Sequence, residues 1–151
     1  MEIAMIAHDS KKELLTQFSI AYCGILSKHN ICATSTTGKY ITEASGLQIE
    51  RLLPGAQGGV QQITSRVAYD EIDIVLYFRD TGEESLRNTA ANDLEINLIR
   101  MCDLHNVPVA TNIATAEAVI SALDRGDLDW REVVNPKSEY NRKKRQLKRK
   151  Y

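Results

Sequence analysis

Short apolar runs alternate with helix-spaced segments about five times along this chain, and that alternation restricts the fold more than any other feature. The runs occupy residues 2–7, 30–34, 49–53, 72–78 and 107–110. All are of strand length and stop at polar or glycine-bearing turns. The clearest, Ile72-Asp73-Ile74-Val75-Leu76-Tyr77-Phe78, is rich in β-branched and aromatic residues and ends in Arg79-Asp80. Helical spacing fills the intervals. Leu14, Leu15, Phe18, Ile20, Ala21 and Leu26 fit a first helix, and Ile41, Ala44 and Leu47 a second, from about residue 39. A third is expected over about 61–69. Leu94, Ile96, Leu98, Ile99 and Met101 belong to a fourth ending near His105, and a fifth covers 114–123. This order predicts α/β architecture: a Rossmann-like, doubly wound parallel sheet of about five strands with helices on both faces. The polar stretch 81–92 reads as a loop, and Trp130 and Val133 as anchors of a closing segment.

A chain of 151 residues is long enough for one domain with a real core. That domain is assigned to residues 1–135, and 136–151 to a basic tail. The net charge of −1 hides the tail: Arg142, Lys143, Lys144, Arg145, Lys148, Arg149 and Lys150 stand without an acid, leaving the body near −8. Such a block is usually solvated. Within 141–151 only Tyr151 could stack on a base, so a nucleic-acid partner is not expected. Cys23, Cys32 and Cys102 are odd in number and sit among apolar neighbours. They read as free thiols of a reducing cytoplasm, not a disulfide framework or zinc site. The N-terminus lacks a basic leader, and no apolar run is long enough to span a membrane.

In a parallel α/β sheet, ligands collect outside the carboxyl ends of the strands. The strand ends expected here are His8-Asp9, Thr34-Ser35-Thr36-Thr37-Gly38, Pro54-Gly55, Asp80 and Thr111-Asn112. All are polar or glycine-bearing. The second delivers four hydroxyls and a glycine to a helix N-terminus, where unpaired N–H groups and the helix dipole favour an anion. Gly38 would let the backbone turn tightly toward a ligand. Thr36 or Thr37 could instead be a simple N-cap.

These strand ends carry a resemblance. Ala7-His8-Asp9 with Lys12, Ala33 to Gly38, Gly55 with Gly58-Gly59-Val60-Gln61-Gln62, Phe78-Arg79-Asp80, and Pro108 to Asn112 with Ala114-Thr115-Ala116 together resemble the methylglyoxal synthase family over about residues 3–133. The resemblance implies a lyase that converts dihydroxyacetone phosphate to methylglyoxal and phosphate without metal or organic cofactor. It also implies a homohexamer in the cytoplasm whose partner is a small phosphorylated metabolite. By this resemblance Lys12, Thr34, Thr36, Thr37 and Gly55 hold the substrate phosphate, and His8, Asp9 and Asp80 stand at polar catalytic positions.

The departures concern proton transfer. The family pattern Gly-Gly-Asp-Gln-Gln, whose aspartate is the base, is Gly58-Gly59-Val60-Gln61-Gln62 here. Valine accepts no proton. The family histidine in the loop after the fourth strand is missing, and that loop is about four residues longer by the same alignment of motifs. Pro54 stands where the family has serine, and Ser35 where many members have glycine. Asp93 is out of register with the family's second loop aspartate. Glu83 and Glu84 are solvated loop acids or, alternatively, a replacement base. Positioned acids and bases are worth about 10²–10⁴-fold, so weak or absent turnover is expected. The alternative is a non-catalytic protein of the same fold that binds a phosphometabolite and regulates. His29 and His105 lie near helix ends and read as structural.

Overall fold

The structure, a computed structural model, describes residues 1–134 and 146–149. Five parallel strands, β1 (Glu2–Ala7), β2 (Asn30–Ala33), β3 (Glu50–Arg51), β4 (Ile74–Phe78) and β5 (Val109–Ala110), form one sheet in the order β3-β2-β1-β4-β5. The helices are α1 (Lys12–Ala21), α2 (Cys23–Leu26), α3 (Ser35–Ser45), α4 (Gly59–Ala68), α5 (Glu83–Arg87), α6 (Thr89–Leu104), α7 (Ile113–Arg125) and α8 (Arg131–Val134). This is the expected Rossmann-like order, in which the chain winds outward from β1 in two directions. The basic tail falls mostly outside the described residues.

Period-two alternation along the strands divides the core. Ile3, Met5, Ala7, Ile31, Ala33, Ile74, Leu76 and Phe78 face one side and pack on Leu15, Phe18, Leu26, Ile41 and Ile120 of α1, α2, α3 and α7. Ala4, Ile6, Cys32, Val75 and Tyr77 face the other and pack on Val60, Ile63, Val67, Leu98 and Cys102 of α4 and α6. Both faces are covered, which is why β1 and β4 read as nearly continuous apolar runs. Phe18 is seated between Tyr22 and Phe78, with ring centroids 4.8 and 5.8 Å away.

Three details differ from the sequence reading. First, α3 begins at Ser35, so the hydroxyl cluster forms its first turn and Gly38 lies inside the helix. A Cβ at Gly38 would come within 3.0 Å of Arg51 Cγ and 3.5 Å of Ala33 Cβ. The glycine therefore lets α3 lie close to the sheet, and no tight turn is needed there. Second, the stretch 81–92 carries α5 and the start of α6, separated by Asn88, whose side chain caps α6 by accepting from Ala91 N–H at 3.1 Å. Third, Trp130 and Val133 are exposed, and the buried residue of the closing segment is Arg131.

Candidate active site

The strand order reverses between β1 and β4, and the crevice at their carboxyl ends is where such a sheet takes ligands. His8 ends β1. Its backbone N–H donates to Phe78 O at 3.0 Å, and Asp80 N–H donates to its Nδ1 at 2.8 Å. An acceptor at Nδ1 places the ring proton on Nε2. Nε2 lies 3.3 Å from the Tyr77 hydroxyl and 3.7 Å from Glu95 Oε2. Arg79 holds the other Glu95 oxygen through its Nη1. The Asp80 carboxylate accepts from Gly82 N–H and from Ser10 Oγ, each at 2.8 Å. The Gly82 N–H, then the Ser10 hydroxyl, hold the Asp80 carboxyl below the usual carboxylate range. Burial, helped by the Glu95 charge, pushes the Tyr77 phenol up to about 12.

Beside this cluster, Asp9, Lys12, Glu13, Thr16, Thr36 and Tyr40 line a cleft of about 430 Å³ between α1 and α3. Lys12 Nζ donates to Asp9 Oδ1 at 2.5 Å and to Ala7 O at 3.2 Å, which uses two of its three N–H bonds. The Lys12 contact keeps the Asp9 carboxyl low. Thr34, in extended backbone conformation, precedes α3 without a side-chain cap. The Ser35 N–H donates to Leu53 O at 3.3 Å, and Thr36, the next residue of the first turn, lines the cleft. A larger cleft, about 740 Å³, lies at the amino ends of the strands around Glu2, His29 and Asn30. Its position outweighs its size, because the strand-end chemistry is at the other edge of the sheet.

Thr34 and Thr37 are buried and share a hydroxyl–hydroxyl hydrogen bond of 3.2 Å. The loop after β3 runs beside them. A Cβ at Gly59 would stand 2.0 Å from Leu53 O and 3.0 Å from Thr34 Cγ2, so only glycine fits. Gly58 has φ of 110°, the left-handed region, which glycine adopts freely. Val60 is 7% exposed and packs in the second core cluster, with Cγ2 3.7 Å from where a Gly55 Cβ would be. The structure therefore brings Lys12 and Thr36 to one cleft, His8 and Asp80 to its β1–β4 side, and Thr34, Thr37, Gly55 and Val60 beneath the α4 loop. Glu83 and Glu84 point to solvent on α5, with Glu83 3.9 Å from Arg87, and neither reaches the cluster.

Sequence reading missed Glu95. The signal was present: Glu95, Leu98 and Cys102 share the buried stripe of α6, so an acid occupies an apolar position. His29 and His105 sit where expected, His29 Nδ1 2.8 Å from the terminal amine and His105 Nδ1 2.8 Å from Asp70 Oδ1. Among the described residues, no group of three His, Cys, Asp or Glu side chains is placed to hold a metal ion, and no helix is long and apolar enough to cross a membrane.

Fold and site together define a parallel α/β domain that presents a helix N-terminus without a side-chain cap, a lysine and a histidine–carboxylate cluster at the carboxyl end of the sheet. The chain belongs to the MGS-like domain family, whose sequence profile matches residues 20–111. It is 56% identical over 143 residues to the methylglyoxal synthase of Caldicellulosiruptor saccharolyticus, covering 94% of this chain and 98% of that one. Against the methylglyoxal synthase of Oceanobacillus iheyensis the identity is 47% over 141 residues, covering 92% and 96%. The crystal structure of methylglyoxal synthase from Elizabethkingia anophelis NUHP1 superimposes with a TM-score of 0.70 at 39% identity, covering 80% of this chain and 76% of that one.

Proposed function

We propose that this protein is a lyase that binds dihydroxyacetone phosphate and converts it to methylglyoxal and inorganic phosphate. The observation that carries the proposal is the placement of Lys12 and Thr36 in one cleft at the open end of α3, next to His8 and Asp80. A phosphate there would meet an ammonium and first-turn N–H groups. Lys12, Thr34, Thr36, Thr37 and Gly55 are assigned to phosphate binding, and His8, Asp9 and Asp80 to the reacting end. The similarity to methylglyoxal synthases along nearly the whole chain supports the same assignment. The reaction needs a proton acceptor beside the carbonyl and an anion site for the leaving group, and it needs no oxidant. The protein is further proposed to act in the cytoplasm as a homohexamer.

A second reading rests on Val60. An apolar side chain at the position where the resemblance puts the base favours a protein that binds the phosphometabolite and regulates without turning it over. Steady-state formation of methylglyoxal from dihydroxyacetone phosphate, with phosphate release measured in parallel, separates the two. Equal appearance of both products supports the lyase. Saturable binding of dihydroxyacetone phosphate with no product supports the regulator. Failure to bind dihydroxyacetone phosphate or inorganic phosphate rejects both.

A further inference from the structure

We propose that Glu95 is the carboxylate that takes the proton from the substrate carbon next to the carbonyl, an inference that rests on the lyase reading. Glu95 comes from α6, an element to which the motif comparison assigned no base. It is 8% exposed, yet it lies at the β1–β4 crevice and not in the apolar interior. Arg79 holds Oε1, which fixes the orientation of the carboxylate. Oε2 is turned toward His8 Nε2 at 3.7 Å, beyond hydrogen-bond length, so this oxygen is not tied up by the histidine.

The neighbouring groups complete what enolisation requires. Asp80 N–H occupies His8 Nδ1 and so sets the proton on Nε2, the atom nearest Glu95. The Tyr77 hydroxyl, 3.3 Å from the same nitrogen, remains a neutral donor across the physiological range. A donor for the carbonyl oxygen and an acceptor for the adjacent proton therefore stand side by side. The other candidate carboxylates are less suited. Asp80 is occupied by Ser10 and Gly82, Asp9 by Lys12, and Glu83 and Glu84 by solvent and Arg87.

The step balances without a co-reactant. A C–H bond of the hydroxymethyl carbon breaks and its proton moves to Glu95 Oε2. The electron pair forms the carbon–carbon double bond of the enediolate, with negative charge on the former carbonyl oxygen. As the double bond shifts to the phosphate-bearing carbon, the hydroxyl on the deprotonated carbon passes its proton to the former carbonyl oxygen and becomes the aldehyde, and phosphate leaves with the electron pair of the C–O bond. The resulting enol takes a proton on its terminal carbon and gives up its hydroxyl proton to solvent, which yields methylglyoxal, and Glu95 returns its proton to solvent.

The test compares wild type, Glu95→Gln, Glu95→Asp and Glu83→Gln/Glu84→Gln. For each, binding of dihydroxyacetone phosphate is measured by calorimetry. Exchange of its hydroxymethyl hydrogens for deuterium in D₂O is followed by NMR, and methylglyoxal formation by a coupled assay. Glu95→Gln should slow exchange and product formation together by about 10²–10⁴-fold with binding little changed. Glu95→Asp should recover part of the rate, and the double variant should match wild type. A purely structural role would leave the ratio of exchange to bound substrate intact. To remain independent of the variants' folding, the wild-type protein is also treated with the bromomethyl ketone analogue of the substrate. A carboxylate in the base position displaces bromide and becomes an ester, located by peptide mapping. Esterification of Glu95 supports the proposal, and esterification of Asp80 or Asp9 overturns it. So does wild-type exchange in Glu95→Gln, which leaves the lyase reading standing. Wild-type binding without exchange or product overturns Glu95 and the lyase together while leaving the regulator. Absence of binding overturns all three.

Discussion

Arg131 Nε donates to Asp73 Oδ1 at 3.4 Å in an ion pair whose side chains are 1% and 0% exposed. The second Asp73 oxygen accepts from Glu2 N–H at 2.9 Å, and the Arg131 Nη1 donates to Asn106 O. One arginine thus ties the closing segment to the amino ends of β1 and β4. Breaking a buried pair from one side costs about 3–5 kcal/mol, because the remaining charge stays buried. Arg131→Met is expected to lower stability in urea by that amount. Arg131→Met/Asp73→Leu should lose much less, a difference that a double-mutant cycle reads directly.

Lys12 is expected to matter for binding far more than for folding. Its ion pair with Asp9 is exposed on the Asp9 side and contributes little to stability. A charge-assisted contact to a phosphate is worth about 1.5–3 kcal/mol. Lys12→Met should therefore weaken binding of inorganic phosphate or dihydroxyacetone phosphate by roughly 10- to 100-fold. The thermal midpoint should move little.

The parts of this fold that were legible in the sequence are those with one dominant force. Ile74 to Phe78 are apolar or aromatic because both sheet faces are covered, and the continuous run along β4 was plain. The α5 and α6 start was not, because Glu83 to Asn92 have no apolar stripe: those turns are exposed and held by local capping at Asn88. Arg131 was missed for the opposite reason, since burial of a guanidinium is decided by Asp73, 58 residues away. In the site, Thr36 was legible as strand-end chemistry, and Lys12 only through the family resemblance. Glu95 was not, because its partners Arg79 and His8 come from two other elements.

Gly59→Ala tests the backbone path of the α4 loop. The added methyl carbon would overlap Leu53 O at 2.0 Å, and backbone cannot rotate away as a side chain can. A loss of about 1–3 kcal/mol is expected, the usual cost of overpacking. Chemical denaturation and phosphate titration should both register it, because Thr34 Cγ2 lies 3.0 Å from the same point.

Val60→Asp should move stability and turnover in opposite directions. Val60 is buried among apolar neighbours, so a poorly partnered carboxyl group there costs more than about 1–3 kcal/mol, the figure for a buried neutral polar group. The same carboxylate would face the Gly55 loop, from which it can serve as a proton acceptor. Turnover to methylglyoxal is expected to rise with phosphate affinity little changed. The rise should survive in Val60→Asp/Glu95→Gln, since the two carboxylates would be independent sources of basicity. Unchanged turnover in a folded Val60→Asp protein would reject this.

The thiols give a pH-dependent prediction. Burial pushes both Cys32 and Cys102 up to about 12. A folded-state pKa above the unfolded value contributes stability that is intact below the unfolded pKa, near 9.0, and is lost as pH rises toward 12. Unfolding free energy should therefore fall with pH above 9. At pH 8, a thiol reagent should modify half-exposed Cys23 first, with Cys32 and Cys102 reacting only on denaturation.

The pairing of β1 on both sides has a consequence for how this protein tolerates changes in length. Met5 is level with Ala33 of β2 and with Leu76 of β4, and Ala7 is level with Phe78. One strand thereby sets the height at which Thr34, His8 and Arg79 leave the sheet. Because a one-residue slip would turn every core side chain to the wrong face, that height is held by the whole interior. Residues added beyond Asp80 can only lengthen what projects past the sheet edge. They cannot push Lys12, Thr34 or His8 out of alignment. Insertions after β4 are thus free to reshape the cover of the strand ends while the residues beneath keep their register.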